Sequence, residues 1–337
     1  MVVDEFEVLR GLIDGVLENL TPTIKVTDVK MIVDNPAEAA NYNIVSVRAA
    51  DAYAIGHVPG AINIPWKTIA DDANLAKLDA ENQKKLAPIT NEEALLKVAN
   101  AIAMCEPDRV FINTGSAQDV QWIREHALEK GEEKPLAKKG HTIHFDLPQD
   151  QARLVKQTFY IVNEDEKTSA LAKKVLRSEG LEYVQTYMKG IMKGMTMMVG
   201  FYARGPVGAQ ASTPAIEISS SAYVLHSAEL LYRNCYDAFD GEVARRGIFF
   251  TNVHSEGPNR PEDVPNARIF MDRSWLTTFS TFCTYAGNTL LMKKGNHRFS
   301  VDYAVYYGED KEISEHMFIT GLKGPGGRVT YFAGAAP

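Results

Sequence analysis

The sequence has few cysteines and no long apolar segment. Its three cysteines, Cys105, Cys235 and Cys283, are scattered and form no C-x-x-C pair, so neither a zinc knuckle nor a disulfide framework is indicated. No apolar run reaches about 18 residues, so we expect no membrane span. The opening residues, MVVDEFEVLR, are acidic and lack the apolar core of a secretory signal. These absences predict a soluble, cytoplasmic α/β protein.

An excess of basic residues is also missing. The chain has 36 Lys and Arg against 43 Asp and Glu, which gives a formal net charge of -7. A protein whose main partner is nucleic acid needs basic residues to neutralise phosphates, so we expect no such partner. Hydrophobic residues make up 45% of the 337 positions, which is enough for a large core or two domains.

Two segments near the C-terminal end carry side chains that can perform chemistry together. Thr284 to Lys294 reads TYAGNTLLMKK, and Ser314-Glu315-His316-Met317 follows it and opens an apolar run. A lysine and a histidine separated by one short structured segment can share a metal ion if a carboxylate joins them. The lysine must then be neutral, and a nearby divalent cation lowers its pKa. Solvated lysines and a structural histidine remain the alternative.

The order of residues in these segments resembles the GTP-dependent phosphoenolpyruvate carboxykinases. That family carries Y-G-G-N-S-L-L-G-K-K and E-H-M-L-I-L-G, where this chain has Tyr285 to Lys294 and Glu315 to Gly321. The closing YFAGAAP resembles the family's approach to a Ser-Ala-Cys-Gly-Lys-Thr phosphate-binding loop. No G-K-[ST] triplet occurs within residues 1–337. The resemblance begins near residue 90 and extends to 337.

The resemblance implies a reaction and a metal. Oxaloacetate and GTP would give phosphoenolpyruvate, GDP and carbon dioxide, with Mn²⁺ and GTP as cofactors. Lys294 and His316 would hold the Mn²⁺, with an aspartate beyond this chain as third ligand. Mn²⁺ suits mixed nitrogen and oxygen ligands. It would polarise the oxaloacetate carbonyl and stabilise the enolate left by decarboxylation. Without a phosphate-binding loop, we expect that residues 1–337 alone do not transfer phosphate.

The same resemblance implies roles for further residues of the first segment. Lys293 would be catalytic, adding positive charge where the enolate oxygen meets the γ-phosphoryl group. Tyr285 would act in catalysis and line the substrate pocket. Gly287, through its backbone, and Asn288 would bind the substrate.

A candidate substrate arginine lies upstream. Asp146 to Arg153 reads DLPQDQAR, and in the family a D-P-x-D-V-A-R segment supplies an arginine that binds the substrate carboxylate or phosphate. Arg153 fits that position, because the planar guanidinium can hold two oxygens of an anion at once. A surface arginine in an ion pair is the alternative.

Residues 23–88 resemble a different family. Asn43 to Arg48 predicts a buried strand, and Tyr53 to Pro65 resembles the Y-x-x-G-H-I-P-G-A-x-N-I-P segment of the rhodanese-like domain. A rhodanese needs a cysteine at the start of a loop of converging backbone N–H groups, normally after a further apolar strand. Cys105 lies in Met-Cys-Glu-Pro-Asp, without a glycine-rich cradle. We therefore expect a partial rhodanese-like segment, and sulfur transfer stays a minor alternative.

These observations predict a fold class and a domain order. We expect an α/β protein whose mixed-sheet N-terminal domain is of the carboxykinase type, preceded by an incomplete rhodanese-like α/β segment. The expected units are an N-terminal helix (1–22), the partial rhodanese-like segment (23–88), a substrate-binding domain (89–312) and the start of a nucleotide-binding domain (313–337). We expect a monomer. A non-catalytic anion-binding or regulatory module is the rival function.

Several local patterns carry smaller predictions. Thr90-x-x-Glu93 is a capping box that would begin a helix. The methionines of residues 187–202 are interpreted as core residues, because thioethers pack flexibly. His254, in a H-S-x-G turn, is interpreted as a structural hydrogen-bonding residue. Ser219-Ser220-Ser221 stands where the family has T-D-S, so one carboxylate is missing from this turn.

Overall fold

The computed structural model describes residues 45–46, 62–63, 77–145, 157–164, 166, 173–209, 212–258, 260–283 and 317–335. Within these ranges no helix combines the length and the apolar character that a bilayer crossing requires. The N-terminal helix predicted for residues 1–22 lies outside the described residues.

Six α-helices lie in the described part of the chain. They are α1 (Ala80–Leu86), α2 (Glu92–Cys105), α3 (Ala117–Glu129), α4 (Arg177–Met188), α5 (Ala222–Leu231) and α6 (Phe239–Arg246).

Helix α2 begins one residue later than its sequence motif predicted. The N-cap is Asn91, whose side chain accepts a 2.9 Å hydrogen bond from the Ala94 backbone N–H. The predicted capping box at Thr90 is therefore wrong. Thr90 instead donates from its backbone N–H and its hydroxyl to Asp240, both at 2.6 Å. Asparagine is at least as good an N-cap as threonine. Because Thr90 is bound to Asp240, Asn91 caps the helix instead.

The described strands are short in the N-terminal part and longer afterwards. They are β1 (Val45–Ser46), β2 (Ile62–Asn63), β3 (Arg109–Asn113), β4 (Lys134–Pro135), β5 (Thr142–Ile143), β6 (Thr158–Val162), β7 (Lys173–Leu176), β8 (Thr196–Arg204), β9 (Thr213–Ser219), β10 (Arg233–Asn234), β11 (Phe250–Ser255), β12 (Arg268–Asp272), β13 (Thr277–Thr281), β14 (Met317–Lys323) and β15 (Val329–Ala335).

A nine-stranded mixed sheet organises the described residues. Its order is β10-β8-β9-β11-β13-β12-β6-β7, and β3 also pairs with β8. Strands β9, β11 and β13 are mutually parallel, whereas β8 and β12 run antiparallel to them. The carboxyl ends of β9, β11 and β13 therefore lie at one edge of the sheet, next to the start of β8. A mixed α/β sheet is what the sequence predicted.

Apolar side chains cover both faces of this sheet. Val98 of α2 and Met188 of α4 belong to the buried cluster on one face, and Ile123 of α3 and Leu225 of α5 belong to the cluster on the other. The sheet is thus a middle layer between helices. Four of the five methionines of this region are fully buried, and Met195 is half-buried and packs against the same core, which confirms their interpretation as core residues: Met188, Met192, Met197 and Met198.

The described parts of the N-terminal region pair locally. Strands β1 and β2 are parallel, with Val45 opposite Ile62. Residues 77–86 pack on β3, because the Val110 N–H bonds to the Lys77 carbonyl at 2.8 Å and the Ile112 N–H bonds to Asn82 Oδ1 at 2.7 Å. In the C-terminal part, β14 and β15 form an antiparallel hairpin around Gly324 to Gly327.

Candidate functional site

A cleft of about 470 Å³ opens at the edge of the sheet where β9 and β11 end. Ser220 follows β9, Glu256 follows β11, and Thr196 begins β8 at the same edge. Ligands of open α/β sheets bind at the carboxyl ends of the strands, so this edge is the natural candidate site. Its polar and charged walls are formed by His126, Lys130, Glu132, His144, Ser220 and Glu256.

Glu132 joins the wall of the cleft to helix α5. Its Oε2 accepts a 2.6 Å hydrogen bond from the Ser221 hydroxyl and a 2.8 Å bond from the Tyr223 backbone N–H. Ser221 is the N-cap of α5, where a carboxylate also interacts favourably with the helix dipole. Burial raises the pKa of Glu132, although these two bonds act to lower it. Glu132 thus supplies a carboxylate to the turn whose aspartate is missing from the sequence.

Histidines support the same wall. His144 Nδ1 lies 2.7 Å from the Glu132 carbonyl oxygen, which can only accept, so Nδ1 carries the proton. The His144 ring stacks on Tyr223 with centroids 3.6 Å apart. His126 stacks on Trp122 with centroids 4.8 Å apart. These contacts fix the orientation of two imidazoles that line the cleft.

A row of hydroxyl groups crosses the strand ends beneath the cleft. Ser219 Oγ lies 2.8 Å from His254 Nδ1, and Ser220 Oγ lies 2.9 Å from Ser255 Oγ. The Gly257 N–H donates to Ser255 Oγ at 3.1 Å. His254 is fully buried, and its two ring nitrogens face Ser219 and the Cys283 carbonyl oxygen. This confirms its interpretation as a structural hydrogen-bonding residue.

The described chain leaves the sheet at the same edge after β13. The Phe282 N–H donates to the Ser255 carbonyl at 2.8 Å, and Cys283 is the last described residue before position 317. On the opposite wall, Phe145 is the last described residue before position 157. Phe145 and Cys283, the described residues that precede the segments 146–153 and 284–294, therefore both lie at this edge.

The sequence-predicted site residues themselves lie outside the described residues. They are Arg153, Tyr285, Gly287, Asn288, Lys293, Lys294 and His316. Their convergence on one metal ion and one substrate stays a prediction. In the described part of the chain, no three His, Cys, Asp or Glu side chains form a group that could hold a metal ion.

Sequence reasoning missed the residues that build the walls. Glu132 follows Gly131, the glycine after α3, and reads as one more solvated acid in a Gly-Glu-Glu turn. His144 belongs to a histidine-rich stretch, His141 to Phe145, whose pattern indicates only a strand, and the structure limits that strand to Thr142–Ile143. A second histidine three residues away, His141, was the available signal that this stretch was unusual.

The cysteines do not form a sulfur-transfer site. All three are buried, burial raises the pKa of the Cys105 thiol, and burial raises the pKa of Cys235 to about 12. A thiolate nucleophile requires the opposite environment. The turn after β3 contains no cysteine, and its Thr114 and Gly115 N–H groups already bond to Asp119 and Asn113. The geometry therefore argues against sulfur transfer.

Comparison with family models gives two matches. The phosphoenolpyruvate carboxykinase N-terminal domain matches residues 97–305, and the rhodanese-like domain matches residues 30–121. Both resemblances seen in the sequence are thus confirmed. The two matches overlap in residues 97–121. This overlap contains β3, which pairs with β8 in the main sheet.

Curated relatives agree with the longer match. The chain is 37% identical over 265 residues to "Phosphoenolpyruvate carboxykinase [GTP]" of Thermococcus sibiricus, covering 77% of this chain and 42% of the relative. It is 38% identical over 254 residues to the Saccharolobus solfataricus protein of the same name, covering 75% and 40%. It is 29% identical over 262 residues to "Phosphoenolpyruvate carboxykinase, cytosolic [GTP]" of Bos taurus, covering 71% of this chain and 41% of the relative. The chain thus spans well under half the length of these relatives.

Proposed function

This chain belongs to the phosphoenolpyruvate carboxykinase N-terminal domain family, and from that membership we propose that it provides the substrate-binding part of a GTP-dependent carboxykinase. The proposed reaction converts oxaloacetate and GTP to phosphoenolpyruvate, GDP and carbon dioxide. One observation carries the proposal: the family match over residues 97–305 contains both Arg153 and the whole segment 284–294.

The substrate side of the proposed site is an anion pocket. Arg153 holds a carboxylate of oxaloacetate through its planar guanidinium. The Gly287 backbone and the Asn288 side chain assist it, and Tyr285 lines the pocket. The cleft at the ends of β9 and β11 supports this placement, because Phe145, which precedes the segment of Arg153, lines the cleft, and Cys283, which precedes the segment of Tyr285, follows β13 at the same edge of the sheet.

The metal side uses two nitrogen ligands of this chain. Lys294 and His316 are the proposed Mn²⁺ ligands, and a borderline cation such as Mn²⁺ accepts an amine and an imidazole together with carboxylate oxygen. When bound, Mn²⁺ supplies Lewis-acid polarisation of the substrate carbonyl. Lys293 adds a positive charge beside the reacting oxygen, where phosphoryl transfer depends on positioning and charge neutralisation.

The wider organisation follows the same proposal. Residues 1–22 form an N-terminal helix, 23–88 the partial rhodanese-like segment, 89–312 the substrate-binding domain and 313–337 the start of a nucleotide-binding domain. GTP is the proposed phosphoryl donor, the cytoplasm the proposed location, and a monomer the proposed state. Size-exclusion chromatography with light scattering tests the last point, since one chain has a mass of 37.3 kDa.

Mn²⁺ binding tests the metal side directly. The electron paramagnetic resonance signal of free Mn²⁺ should fall on addition of the protein, and Lys294→Ala or His316→Ala should abolish that fall. Lys84→Ala and His141→Ala are matched controls, because both side chains are exposed on the described surface, and they should bind Mn²⁺ as the wild type does. Equal binding by all four variants would contradict the assignment.

Oxalate, a mimic of the enolate, tests the substrate side. Calorimetry should detect oxalate binding only when Mn²⁺ is present, and Arg153→Gln should weaken it at least tenfold while Mn²⁺ binding persists. Trp122 offers an optical readout, since it stacks on His126 in the cleft wall. Trp275 is poorly placed for this purpose, because it lies between β12 and β13 at the opposite edge of the sheet.

A second candidate is an anion-binding module without turnover. The observation that favours it is the absence of a G-K-[ST] triplet from residues 1–337, because backbone N–H groups and a lysine of such a loop grip the triphosphate. We expect the 337-residue polypeptide to bind oxalate and to form no phosphoenolpyruvate in a coupled assay with GTP and oxaloacetate. Turnover by this polypeptide would exclude the second candidate.

A further inference from the structure

The two faces of the sheet differ in polarity where β9, β11 and β13 end beneath the cleft. On one face, Ile218, Val253 and Phe279 lie opposite one another and belong to an apolar cluster. On the other face, two successive rows of facing residues are polar. We call these six residues the polar block: Glu217, Asn252 and Thr278 in one row, and Ser219, His254 and Ser280 in the next.

The polar block is buried in apolar surroundings. Each of its six residues has an exposed fraction of 1% or less. The next residues along β9 and β11 on this face, Ala215 and Phe250, are apolar, as are Ile269 and Met271 of the neighbouring β12. A polar group in such a place costs free energy unless it makes a hydrogen bond. Each polar atom of the block therefore needs a partner.

Part of this need is met within the strands. Ser219 Oγ lies 2.8 Å from His254 Nδ1, and His254 Nε2 lies 2.6 Å from the Cys283 carbonyl oxygen. The side-chain amide nitrogen of Asn252 donates to the carboxyl group of Glu217. This bond fixes the orientation of the Asn252 amide, because its nitrogen faces Glu217 and its oxygen points away.

Three oxygen atoms of the block lack a partner. Asn252 Oδ1, Thr278 Oγ1 and Ser280 Oγ are buried, and none of them makes a hydrogen bond to any group in the part of the chain that the structure describes. Thr278 lies directly opposite Asn252 in the neighbouring parallel strand, and Ser280 lies two residues further along on the same face. Since neighbouring strands are about 4.8 Å apart, the three oxygens border one small space.

The chemistry of these atoms indicates what can fill the space. The Asn252 oxygen can only accept, whereas the two hydroxyl groups can donate or accept. Burial raises the pKa of Glu217 to about 8, so the block offers no carboxylate to a cation at neutral pH. A water molecule that bonds two oxygens at about 2.8 Å each spans up to about 5.6 Å between them. Buried water molecules make about three hydrogen bonds, which is the number of open positions here.

We propose that the polar block binds an internal water molecule, which donates a hydrogen bond to Asn252 Oδ1 and bonds to the hydroxyl groups of Thr278 and Ser280. The water satisfies all three oxygens. It also joins β11 to β13 through side chains, in addition to their backbone ladder. This site is independent of the reaction proposed above, because every residue that forms it lies in a described strand.

A crystal structure of the wild-type protein tests the site directly. We expect electron density for one water molecule within about 3.2 Å of Asn252 Oδ1, Thr278 Oγ1 and Ser280 Oγ. An empty position would overturn the proposal. A direct hydrogen bond between Thr278 and Asn252 would overturn it as well, because the two groups would then need no bridge.

The sign of a stability change provides a second test. Valine has the shape of threonine without the hydroxyl. If Thr278 bonds to water, Thr278→Val loses that bond and should lower the melting temperature by about 2 °C. If the hydroxyl has no partner, its removal relieves a buried polar group and the melting temperature should rise. A melting temperature at or above that of the wild type would thus contradict the bound water.

Thr277→Val is the matched control for this change. Thr277 is the buried neighbour of Thr278 in β13, and its hydroxyl donates to the Trp275 carbonyl at 2.9 Å. The control therefore loses one satisfied hydrogen bond and gives the size of such a loss. We expect the two variants to lose similar amounts, and Thr278→Ser, which keeps the hydroxyl, to retain the water.

Oxygen-17 magnetic relaxation counts the water molecules that a protein holds for longer than it tumbles. A double variant, Thr278→Val with Ser280→Ala, removes two of the three partners and should hold one such water fewer than the wild type. Equal counts would overturn the proposal. If the double variant does not fold, the wild-type crystal structure decides alone.

A cation is the competing occupant, since three oxygens can also bind sodium or potassium. Replacing both ions by choline at equal ionic strength should leave the melting temperature unchanged if the occupant is water. A decrease that potassium or sodium restores, and that Thr278→Val abolishes, would identify a cation and overturn the proposal.

Discussion

The carboxyl group of Glu217 in β9 accepts a hydrogen bond from the side-chain amide of Asn252, its opposite residue in β11. Both residues are buried, with exposed fractions of 1% and 0%. Burial raises the pKa of Glu217 to about 8, and the bond from Asn252 offsets only part of that shift. The middle of the sheet therefore holds a carboxyl group that keeps its proton at neutral pH.

Replacing this group should change how stability depends on pH. Glu217 has a raised pKa in the folded protein, so the folded state binds more protons than the unfolded state between about pH 4.5 and pH 8. Stability then falls as the pH rises through that window, by at most about 1.4 kcal/mol per pH unit. Glu217→Gln carries no proton to lose, so its free energy of unfolding should lack this fall. Urea unfolding at about pH 5 and about pH 9 measures the difference.

An exposed acid provides the control for this measurement. Glu182 lies on the solvent side of α4, so Glu182→Gln should follow the wild-type pH dependence. We expect Glu217→Gln to be close to wild type at about pH 5 and more stable by a few kcal/mol at about pH 9. Identical pH curves for Glu217→Gln and the wild type would show that the buried carboxyl group is already ionised at neutral pH.

Much of the sheet could be predicted from the sequence because its central strands are apolar and bounded by turns. Strands β3 (Arg109–Asn113) and β12 (Arg268–Asp272) are of this kind. The sequence contains no comparably clear signal for helix α4. It has no side-chain N-cap, and Gly180 lies inside it, where a Cβ atom would be 2.8 Å from Ile161. Tertiary packing therefore selects a residue that local propensity disfavours.

The cleft could not be predicted in the same way, because its contacts join distant parts of the chain. Ser221 and Glu132 are 89 residues apart, and only the fold brings the carboxyl group to the N-cap of α5. The motif segments, in contrast, are local runs of sequence and were identified without any structure. The sequence therefore indicated the proposed chemistry, and the structure added the residues that line the cleft and the hydrogen bonds between them.

Gly257 should be intolerant of a side chain. Its φ is 61°, and an added Cβ would meet the Phe282 ring at 2.8 Å. Gly257→Ala therefore combines left-handed backbone strain with a steric clash, and we expect a loss of about 1–3 kcal/mol in the free energy of unfolding. Urea unfolding measures the effect.

Gly241 is the matched control for this change. It lies within α6, and a Cβ atom there meets nothing within 4 Å. Since alanine is a better helix former than glycine, Gly241→Ala should stabilise the protein by about 0.5–1 kcal/mol. A Gly257→Ala variant as stable as Gly241→Ala would contradict the tight contact between Gly257 and Phe282.

Thiol reactivity tests the conclusion that the rhodanese-like resemblance brings no sulfur chemistry. With the pKa of Cys235 raised to about 12 from 9.0, its thiolate fraction at about pH 8 is roughly a thousandfold lower than normal. Cys105 and Cys283 are also buried. We expect Ellman's reagent to modify no thiol rapidly in the native protein and three in denaturant, and thiosulfate with cyanide to give no thiocyanate. One thiol reacting within seconds in the native state would reopen the case for sulfur transfer, because it would show a cysteine that solvent and sulfur donors can reach.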